Sequence, residues 1–190
     1  MINTAAEAQF VVNAAKFPPL GIRGQGSPFC HWTSNLSLPE YVQSANKNLL
    51  TLCQIETQQA VDNVDEIVGV EGVGELPLHH FAALQKSLTG DLMIMRHSLT
   101  TDALFIGPND LALGVLGYAP PKWTEPNFLA LIDTVVSACQ KVNKPCGILM
   151  PDGEKAKWAK EKWGIQIMAM GTDVKAIQLW MAAQLGAAKQ

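Results

Sequence analysis

Charge is scarce in this chain of 190 residues: Asp, Glu, Lys and Arg make up 16%, against about 25% in an ordinary soluble domain. The balance is 14 Lys+Arg to 17 Asp+Glu, a net of −3, and no basic run stands out. That argues against nucleic acid or an anionic membrane as the partner. No apolar stretch approaches the roughly 18 residues that a membrane span needs. The first residues, Met1-Ile2-Asn3-Thr4-Ala5-Ala6-Glu7, lack both the basic and the apolar region of a signal peptide. Of the four cysteines, Cys30, Cys53, Cys139 and Cys146, no two have CxxC spacing. They read as free thiols in a reducing compartment, not as a disulfide framework or a zinc site. A cytoplasmic globular protein is the expectation.

What the chain does have is apolar residues, 48% of the total, enough for the core of one domain though not of two. Thr4 to Ala15 reads as a helix: Thr4 can cap it, Glu7 follows at capping-box distance, and Phe10, Val11 and Ala14 form a stripe. After Pro18-Pro19 comes an irregular stretch from Gly21 to about Ser37, and then a short helix from Pro39 to Ala45. Strands and helices alternate from there. Strands are expected over Leu49–Ile55, Ala103–Ile106, Cys146–Met150 and Ile165–Met170. Helices are expected over Thr57–Val68, Asn127–Val142, Lys155–Lys162 and Val174–Ala187. Near-continuous apolar strands separated by helices indicate a parallel sheet covered by helices.

Polar residues gather just past the strand ends, at Glu56, Asn109-Asp110, Asp152 and Asp173, where functional groups collect in barrels and open α/β sheets alike. Glu56 and Asp110 stand out. Two carboxylates at one end of a parallel sheet can converge on a hard divalent cation such as Mg²⁺ or Mn²⁺. The same residues could instead serve as helix caps, and spacing alone does not separate the two. In Gly107-Pro108-Asn109-Asp110, glycine allows a close approach, and the amides of Asn109 and Asp110 could receive a carboxylate as a helix N-terminus does. Arg23, between Gly21 and Gly24, reads first as a loop anchor held by an ion pair.

Several segments stand out in order: Asn3-Thr4-Ala5-Ala6-Glu7-Ala8, Phe17-Pro18-Pro19-Leu20-Gly21-Ile22-Arg23-Gly24, Gln54-Ile55-Glu56-Thr57, Val70-Glu71-Gly72-Val73, Phe105-Ile106-Gly107-Pro108-Asn109-Asp110-Leu111 and Gly147-Ile148-Leu149-Met150. Together they resemble the HpcH/HpaI aldolase/citrate lyase family, in particular its metal-dependent class II pyruvate aldolases. The resemblance implies an α/β fold, the C-terminal half of a TIM-type (β/α)8 barrel: about four βα units, strands five to eight. It implies a lyase that cleaves 4-hydroxy-2-oxo acids to pyruvate and an aldehyde, using Mg²⁺, Mn²⁺ or Co²⁺. Glu56 and Asp110 then inherit the metal-ligand positions, and the amides of Asn109 and Asp110 the pyruvate carboxylate. A homo-oligomer with a 2-oxo acid substrate is the implied assembly.

The family pattern has four further βα units before the segment matched by Met1-Ile2-Asn3-Thr4. Those units carry its general-base histidine and its pyruvate-binding arginine. No His or Arg of this chain matches either; Arg23 matches only the loop arginine of the pattern. The chain is therefore expected to be truncated and impaired as a catalyst, the alternative being a non-catalytic fragment or interaction subunit.

Residues 74–101 interrupt the pattern and are expected to be poorly ordered. Joining Val73 to Asp102 restores a family-like run, Val70-Glu71-Gly72-Val73-Asp102-Ala103-Leu104-Phe105-Ile106-Gly107-Pro108. The insert holds His79-His80, Met93, Met95 and His97, read as a surface loop before a metal site. Either a retained intron or a genuine loop, which surface connections tolerate well, accounts for it. The codons of Gly74-Glu75-Leu76 and Ser98–Asp102 can encode a splice donor and an acceptor. Transcript reads across this point should contain a spliced form lacking residues 74–101; donor and acceptor bases absent from genomic DNA would exclude the intron.

Overall fold

The computed structural model describes residues 1–26, 29–71, 103–120 and 123–189. The insert at 74–101, with its histidines and methionines, lies outside the described residues. The elements are α1 (Ala5–Ala15), α2 (Cys30–Thr33), α3 (Leu38–Asn48), β1 (Leu52–Ile55), α4 (Gln58–Asp62), α5 (Val64–Val68), β2 (Ala103–Ile106), α6 (Pro108–Leu116), α7 (Pro126–Lys141), β3 (Cys146–Met150), α8 (Gly153–Trp163), β4 (Ile167–Met170) and α9 (Asp173–Ala187).

The four strands form one sheet in the order β1-β2-β3-β4, and every neighbouring pair is parallel. Each strand follows its predecessor with helix between, as a parallel crossover requires. Ile55 pairs with Ile106, Ile106 with Ile148, and Ile148 with Met168. This row, with Cys53, Leu104, Cys146 and Met150, is the face that enters the hydrophobic core. α7 covers it through Phe128, Ile132, Val135 and Cys139, all fully buried. The opposite row, Gln54, Phe105, Gly147 and Ile167, is more open: Gln54 is exposed, Phe105 and Ile167 half-buried. Phe105 fills the space above Gly147, where a Cβ would lie 2.7 Å from its ring.

Helix termini follow the chemistry of their ends. Thr4 and Glu7 form the expected capping box on α1, and Ser37 and Glu40 form another on α3. That second box starts α3 at Leu38, a turn's breadth wider than the expected Pro39–Ala45. Residues 57–68, expected as one helix, break at Asn63 into α4 and α5. The Asn63 side chain turns away to donate to the Asn3 carbonyl (2.8 Å), a tertiary bond that competes with helix continuation. β1 begins at Leu52, not Leu49, and the irregular stretch contains the one-turn helix α2. α6 was not expected as a helix. Pro108 opens it at the first position and Gly117, at φ 78°, closes it in the left-handed region, the usual assignment of these two residues.

Arg23 anchors its loop, but not through the ion pair expected of it. Its guanidinium lies 4.6 Å from the centre of the Phe17 ring and 5.7 Å from that of Tyr41. It also donates to the Tyr41 hydroxyl at 2.9 Å. Asn46 of α3 brackets the Phe17 backbone, accepting from its N–H (2.7 Å) and donating to its carbonyl (2.8 Å). The loop is thereby fastened to α3 by rings and amides.

Met1-Ile2-Asn3 runs beside β1, where the Ile2 N–H donates to the Gln54 carbonyl (3.1 Å) and the Ile2 side chain is buried. α9 is exposed along its whole length, including Ile177 and Trp180 at 63% and 62%. Among the described residues no helix is long and apolar enough to cross a membrane. Truncating Phe128 to Ala opens a cavity under α7 and should cost about 3–5 kcal/mol of unfolding free energy, measured by urea denaturation. Truncation of the exposed Phe10 should leave the midpoint of the same transition in place.

Candidate functional site

Glu56 is the first residue past β1, and Gly107 the first past β2. The register Ile55↔Ile106 carries on to set them side by side, and the Gly107 N–H donates to the Ile55 carbonyl (3.2 Å). The Glu56 side chain occupies the space that a β-carbon on Gly107 would need. A Cβ there would lie 2.6 Å from Glu56 Cγ, 2.8 Å from Cδ, and closer still to Oε1. Glycine at 107 was expected to admit a ligand to the backbone; what it admits first is the Glu56 carboxylate.

Gly107 also begins α6, placing Asp110 in that helix's first turn. The first α6 amide to find a partner within the helix is that of Leu111, bonded to the Gly107 carbonyl at 3.0 Å. The amides of Asn109 and Asp110 precede it and belong to the donors that a helix start leaves over. Both residues are exposed and lie at the helix's positive end.

Neither carboxylate is a helix cap. Thr57 caps α4, accepting from the Ala60 N–H at 3.0 Å. Gly107 holds the cap position of α6 and provides no side chain. Among the described residues Glu56, half-buried, makes no hydrogen bond or ion pair. Glu56 is thus a half-buried carboxylate without a partner at the strand end that adjoins the start of α6, whose first turn bears Asp110, and carboxylate oxygens are the donors that hard divalent cations take. No group of three or more His, Cys, Asp or Glu gathers among the described residues. This chain's ligands to such a cation would therefore be Glu56 and Asp110, with water and substrate oxygens completing the shell. The other polar strand ends do different work: Asp152 caps α8, accepting from the Lys155 N–H (2.9 Å), and Asp173 lies in the first turn of α9.

Sequence reasoning missed two contributors. Thr57 and Asn3 meet through a hydrogen bond from Thr57 Oγ1 to Asn3 Oδ1 (2.5 Å), although they stand far apart in the chain. Only the pairing of the N-terminal segment with β1 brings them together.

Parallel strands with helices on one face, and carboxylates at their C-terminal ends, have the architecture of part of a TIM-type barrel. The family follows: the profile of the HpcH/HpaI aldolase/citrate lyase family matches residues 1–178, and the chain belongs to that family. It is 31% identical over 186 residues to a hydroxypyruvate/pyruvate aldolase of Delftia acidovorans, an alignment covering 98% of this chain and 58% of that protein. It is 34% identical over 176 residues to a 5-keto-4-deoxy-D-glucarate aldolase of Citrobacter koseri, covering 91% and 55%. The fold superimposes on the crystal structure of a HpcH/HpaI aldolase/citrate lyase family protein from Burkholderia cenocepacia with a TM-score of 0.73 and 22% identity, covering 100% of this chain and 63% of the other. The chain spans a little over half the length of the curated relatives it matches.

The close approach makes a specific prediction. In Gly107→Ala the new methyl meets the flexible end of Glu56, which can swing aside, so stability should fall by only about 1 kcal/mol. Mn²⁺ affinity, measured by the loss of free-ion electron spin resonance signal, should fall clearly in the same variant.

Proposed function

We propose that this chain provides the metal-binding and carboxylate-binding edge of a divalent-metal-dependent aldolase. The reaction would be carbon–carbon cleavage of a 4-hydroxy-2-oxo acid to pyruvate and an aldehyde. The observation that carries the reading is the unpartnered Glu56 carboxylate lying over Gly107, beside the turn that bears Asp110. Membership of an aldolase and citrate lyase family, and relatives named as aldolases, support it.

In this reading Glu56 and Asp110 hold Mg²⁺, Mn²⁺ or Co²⁺. Bound there, such an ion supplies Lewis-acid polarisation of the substrate's 2-oxo group. The Asn109 and Asp110 amides at the start of α6 receive the substrate carboxylate, and their donors are fixed by the helix before substrate arrives. Gly107, without a β-carbon, leaves room at the strand end for the Glu56 side chain. Cleavage also requires a base to take the proton of the 4-hydroxyl group, and none of the described residues at this edge is assigned that role. Proton transfer by a positioned base contributes about 10²- to 10⁴-fold.

A second reading is a non-catalytic subunit that completes its barrel with other polypeptide. In either reading we propose a homo-oligomer, supported by the exposed apolar length of α9, since contiguous exposed apolar surface marks an interface.

Retro-aldol assays on 4-hydroxy-2-oxo acids with Mg²⁺, Mn²⁺ and Co²⁺ test the catalytic reading, and Mn²⁺ titration tests the site. Glu56→Gln and Asp110→Asn should each weaken Mn²⁺ binding. Turnover abolished in Glu56→Ala would support the catalytic reading and absence of turnover with every ion would overturn it; unchanged Mn²⁺ affinity in both variants would remove the metal site.

A further inference from the structure

Glu56 has no hydrogen bond of its own among the described residues, so the direction of its carboxylate must come from its backbone neighbours. One short segment reaches those neighbours from both sides. The Ile2 N–H donates to the Gln54 carbonyl at 3.1 Å, two residues before Glu56. Asn3 Oδ1 accepts from the Thr57 hydroxyl at 2.5 Å, one residue after it. The Asn3 carbonyl accepts from Asn63 Nδ2 at 2.8 Å, where α4 meets α5. The segment is fixed in turn to α1, because Glu7 accepts from the Asn3 N–H at 2.6 Å and closes the capping box with Thr4.

The chemistry of the Asn3–Thr57 contact is determined. The Thr57 oxygen already accepts the Ala60 N–H at 3.0 Å, which leaves its proton to give. A separation of 2.5 Å falls in the range of O–H···O bonds and below that of N–H···O bonds, so the Asn3 carbonyl oxygen, not its amide nitrogen, faces the hydroxyl. Both hydrogen-bonding roles of Thr57 are thus used, one to begin α4 and one to hold the N-terminal segment.

We infer that Asn3 is a positioning residue for Glu56: through the Thr57 hydroxyl it fixes the exit of β1, and with it the direction of the Glu56 carboxylate toward the Asp110 turn. The inference rests on the reading of Glu56 as a ligand to a divalent cation. Groups that orient a metal ligand are typically worth 10- to 100-fold in metal affinity.

The test is Mn²⁺ affinity of the full chain, read from the free-ion spin resonance signal, with thermal midpoints recorded alongside. Asn3→Ala and Thr57→Val should each weaken Mn²⁺ binding by about tenfold. Thr57→Ser, which keeps the hydroxyl, should bind within about twofold of the parent, and the double variant Asn3→Ala/Thr57→Val should be no weaker than either single one. Should Asn3→Ala fail to fold, the Thr57→Val and Thr57→Ser pair interrogates the same bond. Wild-type affinity in Asn3→Ala and Thr57→Val, with Glu56→Gln weakened, overturns the positioning role and leaves the metal reading intact. Equal loss in Thr57→Ser and Thr57→Val overturns it as well, because the hydroxyl is then irrelevant. Unchanged affinity in Glu56→Gln sinks the metal reading itself, and the inference with it.

Discussion

The side chain of Glu56 lies on the Cα of Gly107, and this contact organises the sheet's functional end. It requires a parallel register that brings the two strand ends level, and a residue without Cβ at the second of them. The register comes from Ile55, Ile106 and Ile148, which align because all three are driven into the same core under α7. Hydrophobic packing on one face of the sheet therefore sets the position of a carboxylate on the other. The row parity of a strand, with period two, makes this an all-or-none arrangement: a shift of one residue would send Glu56 toward the helices and Ile55 toward the open face.

Much of this was legible in the residues. β2 and β3 fall where the apolar runs Ala103–Ile106 and Cys146–Met150 place them, and α1 begins at its capping box. Glu56 and Asp110 stand out as polar residues closing apolar strands, and the structure sets both at the expected edge. What remained hidden depends on tertiary contact. The break at Asn63 follows from a bond to Asn3, on a segment nearly a third of the chain away, which local propensity does not register. α6 is short, and its glycines, Gly107, Gly114 and Gly117, read as loop until Pro108 and Gly117 are seen to be its two ends. The role of Gly107 toward Glu56 lies in a cross-strand distance that no spacing along one strand encodes. Spacing along the chain also leaves Glu56 open as a helix cap, and that reading falls once Thr57 is seen to take the cap of α4.

The family relationship and the local geometry constrain different things. Membership of the HpcH/HpaI family fixes the kind of barrel, while the two carboxylates and the paired amides define what this portion of it offers to a ligand. The open row of the sheet, with Gln54 exposed and Phe105 and Ile167 half-buried, corresponds to the inside of a closed barrel. Such a face tolerates polar groups near its C-terminal rim and apolar ones deeper in. Glu56 stands at that rim and Phe105 packs over Gly147 deeper in, while Gln54, level with Phe105, is a polar exception.

The fastening of Arg23 has a consequence for how the loop responds to its medium. A loop held by two exposed opposite charges loosens as dissolved ions accumulate around them, over a screening length of about 8–10 Å at ordinary ionic strength. Here the cation rests on the faces of Phe17 and Tyr41 and on a phenol hydroxyl, contacts shorter than that length and without a carboxylate for salt to compete against. The stretch from Phe17 to Gly24 is thereby attached to α3 by contacts in which added salt has no ion-pair partner to displace.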